Sequence, residues 1–347
     1  MLPMSGVCSK TDPKGWPASA GQDTTWQTVL RRAVRDPIEL CRLMDLPASV
    51  AAAARVASDN FPVLVPRPYL ARICPGNPRN PLLLQILPRE AELTAHRGFT
   101  TDPVGEAATT RAPGLLWKYQ NRVLMVTSGA CGVHCRYCFR RHFPYHKSCC
   151  DPGVWQPALE TIAAERSIHE VILSGGDPLS LGDDRLAALA RRLADIPHLR
   201  RLRLHTRLPV VVPQRVTAEL IAWLRSTRLT TIVVVQVNHA AEIDDEVAAA
   251  LGRLVDAGVP VMNQSVLLRE INDRVDILAE LCERLIDIRV IPYYLHQLDP
   301  VAGAAHFEVP EATGVKLVED LRARLPGYAV PKYVRETPGG KCKQPLA

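Results

Sequence analysis

The chain reads Cys131-Gly-Val-His-Cys135-Arg-Tyr-Cys138 directly after a short apolar run at residues 123–127, so three cysteines follow a predicted strand. Three thiolates on one loop can hold three irons of a four-iron cluster and leave the fourth iron open to a ligand. Structural zinc sites are instead closed by four ligands, and here His134 or Cys149 would have to complete one. Buried free cysteines are the remaining alternative. We refer to residues 129–138 as the cysteine loop.

Five further β-branched runs follow along the chain, at spacings of some 25–40 residues. With the run at 123–127, the predicted strands lie at residues 170–173, 199–205, 231–237, 259–266 and 288–294. Between them the apolar residues recur every three or four positions, as in Leu186, Leu189, Ala190 and Leu193, which predicts amphipathic helices. Asn272 is predicted as a helix N-cap, and Gly258 as the glycine that ends a helix.

Six strand–helix units predict a parallel sheet with helical crossovers. Such a sheet either lies open or curls into part of a barrel, and the pattern alone does not choose between these. In both architectures the functional residues belong after the carboxyl ends of the strands. That is where the cysteine loop lies.

The first 110 residues differ from the rest, because they are rich in proline and contain only short helical patterns such as Trp26, Leu30 and Val34. We therefore predict two parts, an N-terminal helical region at 1–110 and an α/β region at 111–347. A length of 347 residues fits one barrel and a smaller addition.

Composition excludes several classes of protein. Hydrophobic residues make up 47% and charged residues 22%, which excludes disordered, collagen-like and coiled-coil chains. The net charge of +6 is spread along the sequence, so we expect no nucleic-acid partner. We read neither a membrane span nor a signal peptide and expect a cytoplasmic protein. Five of the ten cysteines fall between positions 131 and 150, a crowding typical of metal or redox chemistry.

A second motif follows the second predicted strand, where the sequence reads Ser174-Gly175-Gly176-Asp177. Paired glycines let a ligand approach the backbone closely and expose amide donors. A tight turn would use the same residues, so this motif alone is weak.

Longer stretches make a family resemblance specific. They lie at residues 117–124, 138–141, 258–268, 292–299 and 338–346. In these stretches the chain resembles the lysine 2,3-aminomutase family of the radical S-adenosylmethionine superfamily. Around Gly303-Ala304-Ala305-His306-Phe307 it is most similar to the short branch, which makes β-lysine for translation elongation factor P. That branch lacks the C-terminal extension of the longer catabolic enzymes.

The resemblance implies a fold, a reaction and three cofactors. The fold would be a partial (β/α)6 barrel preceded by a helical region. The reaction would move the amino group of (S)-α-lysine to the β carbon and give (R)-β-lysine. A [4Fe–4S] cluster would cleave S-adenosylmethionine to start the radical chemistry, and pyridoxal 5′-phosphate would hold the migrating amino group.

The resemblance also implies cofactor-binding residues. Cys131, Cys135 and Cys138 would ligate the cluster. Lys343 would bind pyridoxal phosphate through its amine, with Lys341 as a rival because the tail departs from the family pattern. The remaining positions matching cofactor contacts are Lys118, Tyr119, Arg122, Ser174, Gly175, Gly176, Asp177 and Gln264.

Three positions match substrate contacts. Arg140 would pair with the carboxylate of lysine, while Asp299 and Glu336 would hold its ε-ammonium group. Glu336 departs from the family, where aspartate is common. Cys149 and Cys150 match no family position, and we interpret them as free thiols.

The resemblance implies partners as well: lysine as substrate, a flavodoxin-like electron donor, and a functional link to elongation factor P and its lysyl ligase. The sequence leaves the oligomeric state open. A catabolic lysine 2,3-aminomutase is one alternative function. A non-catalytic binding protein with a structural metal cluster is another.

Overall fold

Ten strands form one sheet in which each strand lies beside its neighbours in the sequence. The computed structural model describes residues 25–147 and 155–347. The strands are β1 (Thr110–Ala112), β2 (Leu115–Tyr119), β3 (Arg122–Ser128), β4 (Glu170–Gly175), β5 (Arg201–Thr206), β6 (Thr230–Gln236), β7 (Val261–Val266), β8 (Ile291–His296), β9 (Lys332–Arg335) and β10 (Gln344–Pro345).

The central strands β3 to β9 run parallel to one another, and the strands at the two edges pair antiparallel. The six predicted runs correspond to β3 to β8, so the predicted partial barrel of six strand–helix units is confirmed. The sequence pattern missed β1, β2, β9 and β10, which extend the sheet at both edges.

Helices connect the parallel strands. They are α7 (Gln156–Ala164), α8 (Asp183–Ala194), α9 (Leu208–Val211), α10 (Ala218–Arg225), α11 (Asp245–Asp256), α12 (Val275–Asp287) and α13 (Glu311–Arg324). In α8 the buried face consists of the four residues predicted from periodicity, namely Leu186, Leu189, Ala190 and Leu193. These helices bury one face on the sheet, as expected for amphipathic crossovers.

Within residues 25–109, six short α-helices precede the sheet. They are α1 (Trp26–Arg31), α2 (Pro37–Leu43), α3 (Ala48–Ser58), α4 (Arg67–Leu70), α5 (Pro81–Leu84) and α6 (Glu106–Thr109). Their buried residues, for example Leu40 and Leu83, belong to the same hydrophobic cluster as Leu173 and Leu204 of the sheet. The helical region therefore packs directly on the barrel.

One of the two predicted helix boundaries is confirmed and one is wrong. Gly258 adopts a left-handed conformation, with φ of 78°, just after α11. Asn272 does not cap α12, whose N-cap is Arg274. Its side chain instead bonds Leu268 and the carbonyls of Asn238 and Val266, so it fixes the loop after β7.

Within residues 25–147 and 155–347, no helix has the length and apolar character needed to cross a membrane.

Candidate active site

A cavity of about 540 Å³ lies inside the curved sheet and reaches the carboxyl ends of its strands. Every residue predicted for the site lines this cavity: Lys118, Tyr119, Arg122, Cys131, Cys135, Cys138, Arg140, Ser174, Gly175, Gly176, Asp177, Gln264, Asp299, Glu336 and Lys343. Lys341, the rival to Lys343, is exposed and is not among the lining residues.

The cysteine loop is fixed to the helical region by a buried ion pair. Arg136 donates to both carboxylate oxygens of Glu92, at 2.8 and 2.6 Å, and its guanidinium also bonds the Phe61 carbonyl. Arg141 bonds the same carboxylate at 2.8 Å. Moving the loop would separate these buried charges, which is unfavourable because each would be left uncompensated. The ion pair therefore holds the loop in one position.

His134 is held away from the thiols. Its ring stacks on Phe61 with centroids 5.0 Å apart, and Nδ1 lies 2.9 Å from the Pro62 carbonyl. Among the described residues, no three His, Cys, Asp or Glu side chains converge tightly enough to hold a single metal ion. The zinc site completed by His134 is therefore not formed, whereas Cys149 and Cys150 lie outside the described residues. A four-iron cluster is larger than one ion, and three thiols lining one cavity suit it better.

Burial favours the protonated form of two of the three thiols. It raises the pKa of Cys138 to about 12, and the charge of Cys135 acts in the same direction. Burial also raises the pKa of Cys131 well above its ordinary value. Since thiolates are the ligand form, metal binding here must release protons.

The glycine motif after β4 allows two loops to approach closely. Gly175 has φ of 129°, and a Cβ there would lie 2.3 Å from the Ser128 carbonyl oxygen. A Cβ on Gly176 would lie 2.4 Å from the Ala130 carbonyl oxygen. Any side chain would therefore push this motif away from the cysteine loop.

Asp177 connects the loop after β4 to the loop after β5. Its buried carboxylate accepts hydrogen bonds from the Thr206 hydroxyl and from the backbone N–H groups of Leu179, Arg207 and Leu208. These bonds give Asp177 a structural role in this structure. A direct contact with a cofactor stays a prediction.

Arg140 already has a partner within the protein, which the sequence did not predict. Its Nε and Nη2 donate to the two carboxylate oxygens of Glu106, at 2.8 and 2.5 Å, and Nη1 donates to the Ser174 hydroxyl at 2.9 Å. A guanidinium has five N–H groups. Nη1 and Nη2 thus each have one N–H left for a further acceptor. The remaining N–H of Nη1 makes only a long contact of 3.4 Å with the Gly175 carbonyl.

The carboxylate of Glu336, which also lines the cavity, accepts from three donors. Lys118 and Lys343 form ion pairs with its two oxygens at 2.7 and 2.6 Å, and the Tyr119 hydroxyl also donates to it. Despite burial, the Lys343 and Lys118 cations lower the pKa of Glu336 to about 2. The guanidinium of Arg122 lies 4.6 Å from the centre of the Tyr119 ring.

Asp299 is a second carboxyl group that lines the cavity near Glu336. Burial raises its pKa to about 7; the Lys343 cation opposes this shift and the Glu336 carboxylate adds to it. Two neighbouring carboxyl groups therefore differ in pKa by several units.

The lining residues that the sequence reasoning missed include Arg203, His205 and His296. Burial and nearby cations keep both imidazoles neutral by lowering their pKa well below the ordinary value. The Arg203 Nε and His205 Nε2 atoms are buried without a hydrogen-bond partner. The alternation of polar and apolar residues along β5 could have revealed both.

The chain is similar to known proteins along almost its whole length. The chain is 44% identical over 318 residues to the L-lysine 2,3-aminomutase of Haemophilus influenzae, covering 92% of this chain and 94% of that protein. It is 35% identical to the L-lysine 2,3-aminomutase of Acetoanaerobium sticklandii, covering 92% of this chain and 78% of that protein.

Among solved structures, Streptococcus suis SuiB bound to S-adenosylmethionine gives a TM-score of 0.48 with 13% identity, covering 63% of this chain and 51% of that chain. No family model matches the sequence. Identity above 30% along almost the whole chain shows that this protein belongs to the L-lysine 2,3-aminomutase family, a family of isomerases.

Proposed function

We propose that this protein is a radical S-adenosylmethionine enzyme that uses pyridoxal phosphate to convert (S)-α-lysine into (R)-β-lysine. One observation carries the proposal: three loop thiols, a lysine and two carboxyl groups line a single cavity. The cluster and S-adenosylmethionine supply a hydrogen-abstracting radical, and pyridoxal phosphate supplies the group that carries the migrating nitrogen.

The residues present suit these groups. Three thiols without a fourth ligand leave an iron open. Lys118 and Arg122 supply positive charge for a phosphate, and Arg203 lines the same cavity. Lys343 rather than Lys341 has an amine at the cavity wall.

Arg140 can hold the substrate carboxylate while Glu106 keeps it in place. The two N–H groups at the end of the guanidinium form a fork that matches a carboxylate. Because Nη1 also bonds Ser174, the substrate would be fixed next to the glycine motif. Glu106 is thus the partner that would position the guanidinium of Arg140 for this contact.

Glu336 and Asp299 can hold the ε-ammonium group. In this structure the Lys343 ammonium occupies one oxygen of Glu336. While the Lys343 amine held pyridoxal phosphate, this ion pair would be absent, and that Glu336 oxygen would be open to another cationic group. Lys343 therefore marks a place where an alkylammonium group binds.

The test is mass spectrometry of lysine incubated with anaerobically reconstituted protein, S-adenosylmethionine and a reductant. We expect β-lysine, with the R configuration by chiral chromatography. Protein with one loop cysteine replaced by alanine should give none. Unchanged lysine with the fully loaded parent would contradict the proposed reaction.

We propose further that the β-lysine serves the modification of elongation factor P, with a flavodoxin-like protein as electron donor. The identity of 44% to the Haemophilus influenzae protein, against 35% to the Acetoanaerobium sticklandii protein, supports the short branch. Deleting the gene should remove the modification from elongation factor P. Loss of growth on lysine with elongation factor P unchanged would favour the catabolic alternative.

A further inference from the structure

A buried arginine contacts one of the three loop thiols. Arg207 follows β5, and its Nη1 lies 2.7 Å from the Cys135 sulfur and 2.8 Å from the Tyr137 hydroxyl. The residue is only 7% exposed. None of the functions assigned above uses it.

The guanidinium cannot easily turn away from the sulfur. Its Nη2 donates to Gln85 at 2.6 Å and to Glu242 at 2.8 Å. Glu242 is fully buried and also accepts from Gln85 at 3.1 Å and from the Asn238 backbone. The Arg207 Nε atom is buried without a hydrogen-bond partner, so the bonds of Nη1 and Nη2 are the ones that hold the cation in this orientation.

Relying on the cluster assignment of the proposed function, we infer that Arg207 is a positioning residue that raises the reduction potential of the cluster through Cys135. Reduction adds one electron, and therefore one negative charge, to the cluster and its thiolates. A buried cation that donates an N–H to a ligand sulfur stabilises the more negative state, since hydrogen bonds to sulfur and net charge set such potentials. The N–H bond to Cys135 thus makes the first electron transfer easier.

The experiment compares midpoint potentials of reconstituted proteins. The reduced cluster is followed by its paramagnetic resonance signal in a titration with dithionite and mediators, without lysine or S-adenosylmethionine. We expect Arg207→Gln to lower the ratio of reduced to oxidised cluster at least tenfold at a fixed potential, or about 59 mV for one electron. Glu242→Gln removes a nearby negative charge but keeps Arg207, so its midpoint should move in the opposite direction.

The double variant, Arg207→Gln with Glu242→Gln, separates the hydrogen bond from the overall charge. It leaves no unpaired buried charge and the same net charge as the parent. We expect its midpoint to stay below that of the parent, because the N–H bond to sulfur is gone. A double variant with the midpoint of the parent would overturn the inference.

The potential does not depend on the fraction of protein that carries a cluster, so partial loading does not obscure the result. A parent protein that binds no iron and shows no signal would instead contradict the proposed function. The two failures are therefore distinguishable.

Discussion

The ionisation of Asp299 should control how well the free enzyme captures lysine. Burial raises the pKa of this carboxyl to about 7. An ammonium group is held by the ionised form, which predominates above that pKa. We therefore expect kcat/KM for lysine to reach a plateau above pH about 7, to fall about tenfold for each unit below it, and to level off roughly ten- to a hundredfold below the plateau.

Replacing Asp299 by asparagine keeps the shape of the side chain and removes its charge. A charge-assisted hydrogen bond contributes about 1.5–3 kcal/mol, so the plateau of kcat/KM should fall roughly ten- to a hundredfold. The variant should also lose the decline on the acidic side that belongs to this carboxyl. The contacts of Arg140 with Glu106 should be unaffected. Because Asp299 is assigned to the substrate and not to a cofactor, cofactor loading should equal that of the parent.

The assay measures initial rates of β-lysine formation by mass spectrometry across the pKa of Asp299. Asp276→Asn is the matched control, because that carboxylate is 55% exposed and lies outside the cavity. It should reproduce the profile of the parent. An Asp299→Asn protein that keeps the acidic decline, or that turns over lysine as well as the parent, would refute the role of Asp299.

Four other outcomes are expected. Alanine in place of any loop cysteine should abolish S-adenosylmethionine cleavage and the cluster signal; normal cleavage would refute the cluster assignment. Borohydride reduction followed by peptide mapping should place the pyridoxyl label on Lys343; a label on Lys341 would show that the wrong lysine was chosen. In the cofactor-free protein, Glu336 has a pKa of about 2 instead of 4.5, so its ionised form stabilises the fold above pH 4.5 and loses this effect as the pH falls towards 2. Glu336→Gln should therefore lower the unfolding free energy by up to roughly 3 kcal/mol at neutral pH, at about 1.36 kcal/mol per unit, and have little effect near pH 2 in urea titrations. Gly314→Ala should lower the urea midpoint at unchanged m-value, because its Cβ would lie 2.2 Å from the Tyr333 hydroxyl; an unchanged midpoint would contradict this packing.

The sequence predicted the parts of the fold that depend on local pattern. The six central strands follow from β-branched runs and the buried face of α8 from a periodicity of 3.6 residues, and neither needs knowledge of distant contacts. Strand β10 contains only Gln344 and Pro345, and β9 is four residues long. Such short segments are strands because of the strand beside them, so their own sequence does not reveal them.

The candidate site shows the same division. Residues that match a motif, such as the loop cysteines, were found because their spacing carries the signal. Glu106 was missed because its contact with Arg140 spans 34 residues and neither residue predicts the other. Asn272 was misread because its side chain bonds the loop before the helix, and local pattern cannot tell these two uses of asparagine apart.

The bond between Tyr119 and Glu336 has a consequence for the order of synthesis and folding. These residues lie 217 positions apart and connect the two edges of the sheet. At about 5–20 residues per second, a ribosome needs roughly 10–40 s to pass from one to the other. During that interval the cysteine loop has emerged, while the segment that carries Lys343 does not yet exist. The thiols of the cysteine loop are therefore available to iron before Lys343 is available to pyridoxal phosphate.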